Sequence, residues 1–344
     1  MSVRIATPDE VARWDDLIVA QADDGNIFST KVYSEIKKMG QYTPVYLMVG
    51  AIPVTVLQKN TPPIGKWWYV PKGPNTTSTT AYLAITKELK SYARHNGVFM
   101  IRTESELPLA EAPKLEEAGL RKAAPIIPNA STITVDIAPT LDAILTHLPQ
   151  KGRHAIRRAE RDGVIVTQVP ATIENCKSMF ALLSETAEGQ FGLRAYKYYE
   201  TYWQTFEKAG YGQLFFASVN GTIVAGAYAM SLGTKSTYKD GASVRDRSVY
   251  GASHLLQWHV IQWAKGRGAT IHDLCGAPPS ASIDDTHHPH YGIGRFKRSF
   301  NRTVTDYIGC YDVVVRPLAY SLWQHGLERL YKSLYYRRTK DYYY

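Results

Sequence analysis

The sequence predicts a mixed α/β (α+β) fold built twice. Three observations carry the prediction: an approximate internal repeat, strand-like alternation ahead of each copy, and a length beyond one ordinary core. At 344 residues, and at roughly 150 residues per domain, two domains are expected. In the first copy, Pro44 to Leu57 and Lys66 to Tyr69 alternate like strands. Ala81 to Asn96 reads as an amphipathic helix, Gly97 breaks it, and Val98-Phe99-Met100-Ile101-Arg102 reads as a strand ending at Thr103-Glu104. In the second copy, Gln213 to Val219 and Thr222 to Ser231 alternate around Asn220-Gly221, a dipeptide that tolerates positive φ at both centres of a tight hairpin turn. His254 to Lys265 reads as a helix, Gly266-Arg267-Gly268 as its break, and Ala269-Thr270-Ile271-His272 as a strand ending at Asp273. Two mixed units of the same build are the simplest account.

The boundary follows from what interrupts the pattern. Asp136 to Leu148 reads as a strand end and a helix, and Pro149-Gln150-Lys151-Gly152 then breaks the run. The domains are therefore expected at residues 1–149 plus 312–344, and 150–311. After Pro317 comes a helical run, Leu318 to Leu334, and then a basic, aromatic tail, Tyr335 to Tyr344, expected to fray beyond Lys340.

Composition narrows the function. Hydrophobic residues at 44% and charged residues at 21% are ordinary for a globular protein. No run approaches the ~18 apolar residues of a membrane span, and the start, Met1-Ser2-Val3-Arg4-Ile5-Ala6, lacks a signal-peptide core. Cys176, Cys275 and Cys310 make neither a disulfide framework nor a zinc motif. A cytoplasmic location is expected. The net charge of +9, from 40 Lys+Arg against 31 Asp+Glu, favours polyanionic partners: nucleic acid, anionic lipid or phosphorylated substrates. A basic protein with no such partner is the plain alternative. The 24 tyrosines and 7 tryptophans offer flat, partly polar faces to sugars, bases and peptide groups.

Local motifs sharpen this. Tyr291-Gly292-Ile293-Gly294-Arg295-Phe296-Lys297-Arg298-Ser299-Phe300, ahead of Asp306-Tyr307-Ile308-Gly309, places a cation between two aromatics in a glycine-bounded turn. It is expected to present one fixed positive charge to an anion. Lys151 to Arg161 is a basic helix closed at Gly163. Either it contacts phosphates or it is a solvated face. Arg194, in a segment leading into an aromatic helix, can offer paired donors to phosphate. Tyr198 would share its face if the helix starts at Arg194, and an ion pair with Glu188 or Glu200 is the alternative. The turn Arg247 to Ser253 has one glycine where an acyl-CoA pyrophosphate loop needs two, so acetyl-CoA is not expected. Asp284 to His290 lacks the i, i+4 spacing of zinc enzymes and reads as a surface loop. No phosphate-binding P-loop and no Ser-His-Asp or Cys-His signature emerges.

Taken in order, these segments resemble the FemABX family of aminoacyl-tRNA-dependent peptidyltransferases. Phe28 to Lys37 looks like the family's first-domain entry, with Tyr33 where tryptophan is more usual. Tyr69-Val70-Pro71-Lys72-Gly73-Pro74 is close to its aromatic-x-Pro-basic-Gly-Pro strand end, and Lys151 to Gly163 to its basic helix. Ile271-His272-Asp273-Leu274-Cys275-Gly276 resembles its Tyr-Asp-Leu-Gly-Gly, with histidine and cysteine substituted. Gly294-Arg295-Phe296-Lys297 through Tyr307-Ile308-Gly309 matches best.

The resemblance implies tandem GNAT-like (acyl-CoA N-acyltransferase-like) domains of the compact type, without a helical arm. It implies transfer of an amino acid from aminoacyl-tRNA to a stem-peptide amine of a peptidoglycan precursor, UDP-MurNAc-pentapeptide or its lipid-linked form, with no cofactor or metal. By the same resemblance Lys37 and Arg194 match diphosphate contacts, with Tyr198 beside them. Lys297 matches a lysine that steadies the tRNA end or the carbonyl oxygen, and Phe296 packs there. Glu104 falls where an aspartate base is placed, Phe99 where an aromatic sits, and Asp240 where some members have tyrosine. Arg153, Arg157 and Arg158 are the candidate tRNA contacts. Lys37, Arg194 and Lys297 are expected to share one cleft. The ester is already activated, so alignment and oxyanion stabilisation suffice. The proton acceptor is left among Glu104, the precursor's phosphate and the tRNA ribose. A monomer is expected, with peripheral contact at the inner membrane face. Two other functions compete: tRNA-dependent transfer to a peptide antibiotic or amino-lipid, and a non-enzymatic basic protein binding RNA or a membrane surface.

Overall fold

A computed structural model describes residues 1–127, 130–187, 192–244 and 250–344. Its strands in chain order are β1 (Val3–Ile5), β2 (Thr43–Val49), β3 (Ile52–Thr61), β4 (Gly65–Val70), β5 (Val98–Thr103), β6 (Arg121–Ala123), β7 (Ser131–Thr132), β8 (Thr134–Asp136), β9 (Ile165–Val169), β10 (Gly212–Val219), β11 (Thr222–Leu232), β12 (Lys235–Ser243), β13 (Ile271–Asp273), β14 (Thr305–Asp306) and β15 (Cys310–Val314). The chain divides into two compact units, Met1–Ala130 with Asp306–Tyr344, and Ser131–Thr305.

The first unit holds a sheet of order β1-β2-β3-β4-β5-β15-β6. Every neighbouring pair is antiparallel except β4 and β5, which run parallel. A parallel pair needs a crossover, and the helix Thr79–His95 supplies it. Ser78 caps its start by accepting from the Ala81 N–H. Tyr82, Ile85, Leu89 and Ala93, spaced along one face, are buried there. Gly97, at φ +73, ends it. Leu47, Val49, Val54, Val56, Trp68 and Val70 form the core beneath.

The second unit repeats the plan. Its sheet runs β8-β13-β12-β11-β10-β9, again with one parallel pair, β12 and β13, here joined through the helix Ala252–Gly266. The β10–β11 hairpin turns at Asn220 and Gly221, with φ +48 and +79, as the dipeptide predicts. The repeat read from the sequence is thus a repeat of topology. The break falls at Ala130–Ser131 rather than near Leu148, because β8 pairs with β13 (Val135 opposite His272) and Ile144 and Leu148 join the second core.

The tail corrects an expectation. Tyr343 and Tyr344 are docked on the first unit, not frayed. Tyr343 lies 6.4 Å from Trp67 and from Trp323, centroid to centroid. The Lys59 ammonium sits 3.6 Å from the Tyr343 ring and donates to its carbonyl. Tyr344 donates to Glu328 and accepts from Arg102 at 3.1 Å. Arg102 is only 1% exposed and forms a two-bond fork with Asp312, at 2.8 and 2.9 Å.

Candidate functional site

Lys297 lies at the end of a helix, Tyr291–Lys297, where the sequence suggested a turn. Gly292 and Gly294 lie within the helix and do not bound a turn, and a Cβ on Gly294 would fall 2.9 Å from Pro278 Cδ, so glycine at 294 allows the helix to pack closely. Phe296 is half-buried, with its ring 4.9 Å from His254 and 5.5 Å from Phe300. Lys297 itself is 7% exposed. Its ammonium donates to the carbonyls of Cys275 and Gly276, the latter at 2.7 Å. Those carbonyls are aimed by consecutive left-handed residues, Cys275 at φ +53 and Gly276 at φ +54. Cys275 adopts that conformation where the family's pattern has glycine, at a cost of roughly 1–2 kcal/mol. Asp273 holds the turn by accepting from the Cys275 N–H at 2.7 Å and from the Thr132 hydroxyl. Burial pushes the Lys297 ammonium down to about 8 from its ordinary 10.5. It is therefore a buried, held charge rather than an exposed one.

The neighbouring histidines are structural. His272 is fully buried between the Ser236 hydroxyl, 2.7 Å from Nδ1, and the Gln257 amide nitrogen, 2.5 Å from Nε2. Burial lowers it to about 3, so it stays neutral. His254 is lowered to about 4 for the same reason, with Lys151 adding to the effect.

Along the helix Tyr196–Lys208 lies an aromatic ladder. The helix starts at Tyr196, after Arg194, yet the Arg194 guanidinium still lies 4.6 Å from the Tyr198 ring centre. Glu200 pairs with Lys197 at 2.9 Å. Glu188 and residues 247–249 of the Arg247–Ser253 turn lie outside the described residues. Asp240 accepts from the Trp203 indole at 2.9 Å and from Lys239 at 3.0 Å, tying this helix to β12. Lys239 also lies 5.3 Å from the Tyr202 ring. No sequence signal set it apart.

Of the candidate tRNA contacts, Arg153 is committed elsewhere. It donates to the carbonyls of Thr146 and Leu148, each at 2.6 Å, and so closes the helix Leu141–His147. Arg158 pairs with Asp162 at 3.3 Å, 5.1 Å from the Tyr250 ring. Arg157 is exposed.

In the first unit, Lys37 closes the helix Lys31–Lys37 at 5% exposure, with its ammonium 5.6 Å from the Tyr33 ring and 5.3 Å from the Tyr42 ring. Glu104, 4% exposed, accepts from the Tyr69 hydroxyl, from the Ile126 N–H, and from the Ile127 N–H at 3.2 Å on each oxygen. A carboxylate offers about four acceptor positions. Three donors, one of them shared between both oxygens, converge on Glu104, so it pins the 126–127 loop. Phe99 is fully buried, its ring 5.8 Å from Trp323. It is part of the core. Among the described residues, no group of His, Cys, Asp and Glu is placed to hold a metal, and no helix is long and apolar enough to cross a membrane.

Two sheets of one topology, each with a single parallel pair bridged by a helix, define a tandem GNAT-like α/β protein. Residues 213–326, which contain the Lys297 helix and its carbonyl turn, match the FemAB family. Lipid II:glycine glycyltransferase of Staphylococcus haemolyticus is 32% identical over 114 residues, 33% of this chain and 26% of that protein. The Staphylococcus aureus (strain COL) protein of the same name is 30% identical over 113 residues, with the same coverage. The match thus spans about a quarter of these relatives' length. A crystal structure of FemX aligns over 95% of this chain and all of its own, with TM-score 0.81 at 18% identity. L-PGS from Bacillus licheniformis aligns over 94% and 97%, with TM-score 0.56 at 15% identity. The segment match and the staphylococcal relatives show a likeness to the FemAB family over about a third of the chain; the likeness to FemX shows the fold.

Proposed function

We propose that this chain transfers an aminoacyl group from tRNA to a stem-peptide amine of a muramyl-peptide precursor, lipid-linked or UDP-linked. The observation that carries the reading is a lysine ammonium, buried and pinned by two carbonyls, inside the segment shared with the FemAB family. The relatives named for glycine transfer to lipid II supply the acceptor class.

The amine nitrogen attacks the ester carbonyl carbon. A C–N bond forms, the C–O bond to the tRNA ribose breaks, and the amine proton leaves with the ribose oxygen. Two N–H groups of Lys297 hold it in place. An ammonium has three, and the third is the donor for the oxyanion. With its protonation midpoint near 8, Lys297 is charged at neutral pH and suits that role. Phe296 shields it. Arg194 with Tyr198, and separately Lys37, are the candidate diphosphate contacts, and Asp240 orders the wall that carries Tyr202. Glu104 and Phe99 take no part in the chemistry. The enzyme acts as a monomer at the cytoplasmic membrane face.

The test is direct. Incubation with charged tRNAs and either precursor should lengthen the stem peptide in a ribonuclease-sensitive manner. Lys297→Ala should lower turnover by ~10²–10³. Product formed equally from an acyl-CoA without RNA, or full turnover in Lys297→Ala, would reject the reading.

A further inference from the structure

The basic helix Gln150–Arg161 and the segment after Lys297 meet at Gly152. A Cβ there would fall 2.0 Å from the Ser299 carbonyl oxygen, so only glycine permits the approach. Beside it is an open cavity of about 210 Å³ lined by Pro149, Lys151, Arg295, Arg298, Ser299 and Arg302. Most of that lining is cationic, and it includes no carboxylate. Arg298 is braced by Asp284. Lys151, Arg295 and Arg302 have no carboxylate partner among the described residues. Like charges held this close repel one another, and an oxyanion seated among them relieves that repulsion.

The charge continues beyond the cavity. Lys151, His154 and Arg158 fall at i, i+3 and i+7 and are exposed on the same helix. The track ends at Tyr250, 38% exposed, whose ring lies 6.4 Å from His154 and 5.1 Å from the Arg158 guanidinium. A cluster that ended at the cavity would suit one anion. A cavity that opens onto a basic helix face, where Arg158 is paired with Asp162 and an exposed ring lies beyond, suits a polymer with repeating phosphates and stackable bases.

We infer that this cavity seats a backbone phosphate of an RNA strand, which then follows the Lys151–His154–Arg158 face to stack on Tyr250. That the RNA is a tRNA acceptor end rests on the transfer reading above. The inference moves RNA recognition away from Arg153, which is committed to closing a helix, to residues on either side of Gly152.

The experiment measures binding of a labelled acceptor-stem RNA hairpin between 50 and 200 mM salt, for the wild type, Arg295→Gln/Arg302→Gln, and a control of equal charge loss at exposed sites of the same unit, Lys177→Gln/Lys208→Gln. Losing two phosphate contacts should flatten the log–log salt slope by about 1.4–1.8, while the control keeps the wild-type slope and unchanged fluorescence spectra show that all three proteins are folded. An equal loss in the control would overturn the inference. So would a double variant that keeps RNA affinity and slope but no longer binds phosphatidylglycerol vesicles, since the cavity would then serve a membrane. The two readings fail separately. RNA binding with the expected slopes but no transfer to any acceptor sinks the transfer reading alone. RNA-dependent transfer with an unchanged KM for aminoacyl-tRNA in Arg295→Gln/Arg302→Gln sinks the cavity alone.

Discussion

Replacing Lys297 with methionine should make the protein inactive without making it less stable at neutral pH. Burial lowers this lysine from 10.5 to about 8, and each pKa unit is worth about 1.4 kcal/mol. Keeping the ammonium charged in its buried site at neutral pH therefore costs about 3 kcal/mol. Methionine fills similar space without the charge, but leaves the Cys275 and Gly276 carbonyls short of a donor, a loss of about 1–3 kcal/mol. The two effects nearly cancel, so pH is the sharper probe. Because the folded pKa is depressed, the unfolded chain binds the extra proton between the two values, and wild-type stability rises with pH from about 8 towards 10.5. Below 8 that gain is absent. Lys297→Met lacks this rise, while every other titration is common to both proteins. Urea titrations at pH 7 and pH 10 should show the variant losing about 2–3 kcal/mol relative to wild type between the two. Parallel stability profiles would refute the buried, depressed ammonium and, with it, the electrostatic account of the site.

Other expectations follow from single contacts. Gly152→Ala should destabilise by about 1–3 kcal/mol in a urea melt, although alanine in a helix ordinarily gains up to about 1 kcal/mol. Gly266→Ala, with nothing within 4 Å of its new Cβ, should show that gain; a stabilised Gly152→Ala would contradict the close approach to Ser299. Glu104→Gln should lose about 1–3 kcal/mol through the Ile126 and Ile127 N–H groups while keeping kcat, and a fully stable variant with turnover down a hundredfold would restore Glu104 as the base. Tyr343→Ala should lower stability by about 3 kcal/mol in thermal unfolding, whereas a frayed tail would leave it unchanged.

What was legible in the sequence was whatever depends on neighbours along the chain. The helix faces, the Asn220-Gly221 hairpin and the doubled plan all follow from local periodicity and turn chemistry. The domain break was not legible, because β8 is assigned to the second sheet by pairing with β13, far away in sequence. Lys297 stood out, but its state did not: the two carbonyls that hold it belong to residues 21 and 22 positions earlier. Glycine misled for the same reason. Gly294 is spelled like a turn and serves as a contact. Glu104 and Phe99 are positions that the family resemblance singles out, yet only the fold reveals that one accepts from three donors and the other is enclosed.

The position of β15 has a consequence for how the molecule is made. It lies between β5 and β6 and carries Asp312, the partner of Arg102. It is translated only after the whole second unit. A ribosome that has released residues 1–130 holds a sheet short of one strand, with an open seam and a guanidinium awaiting its counter-charge. The contiguous second unit, made later, has all its strands first and is free to finish before the half that precedes it.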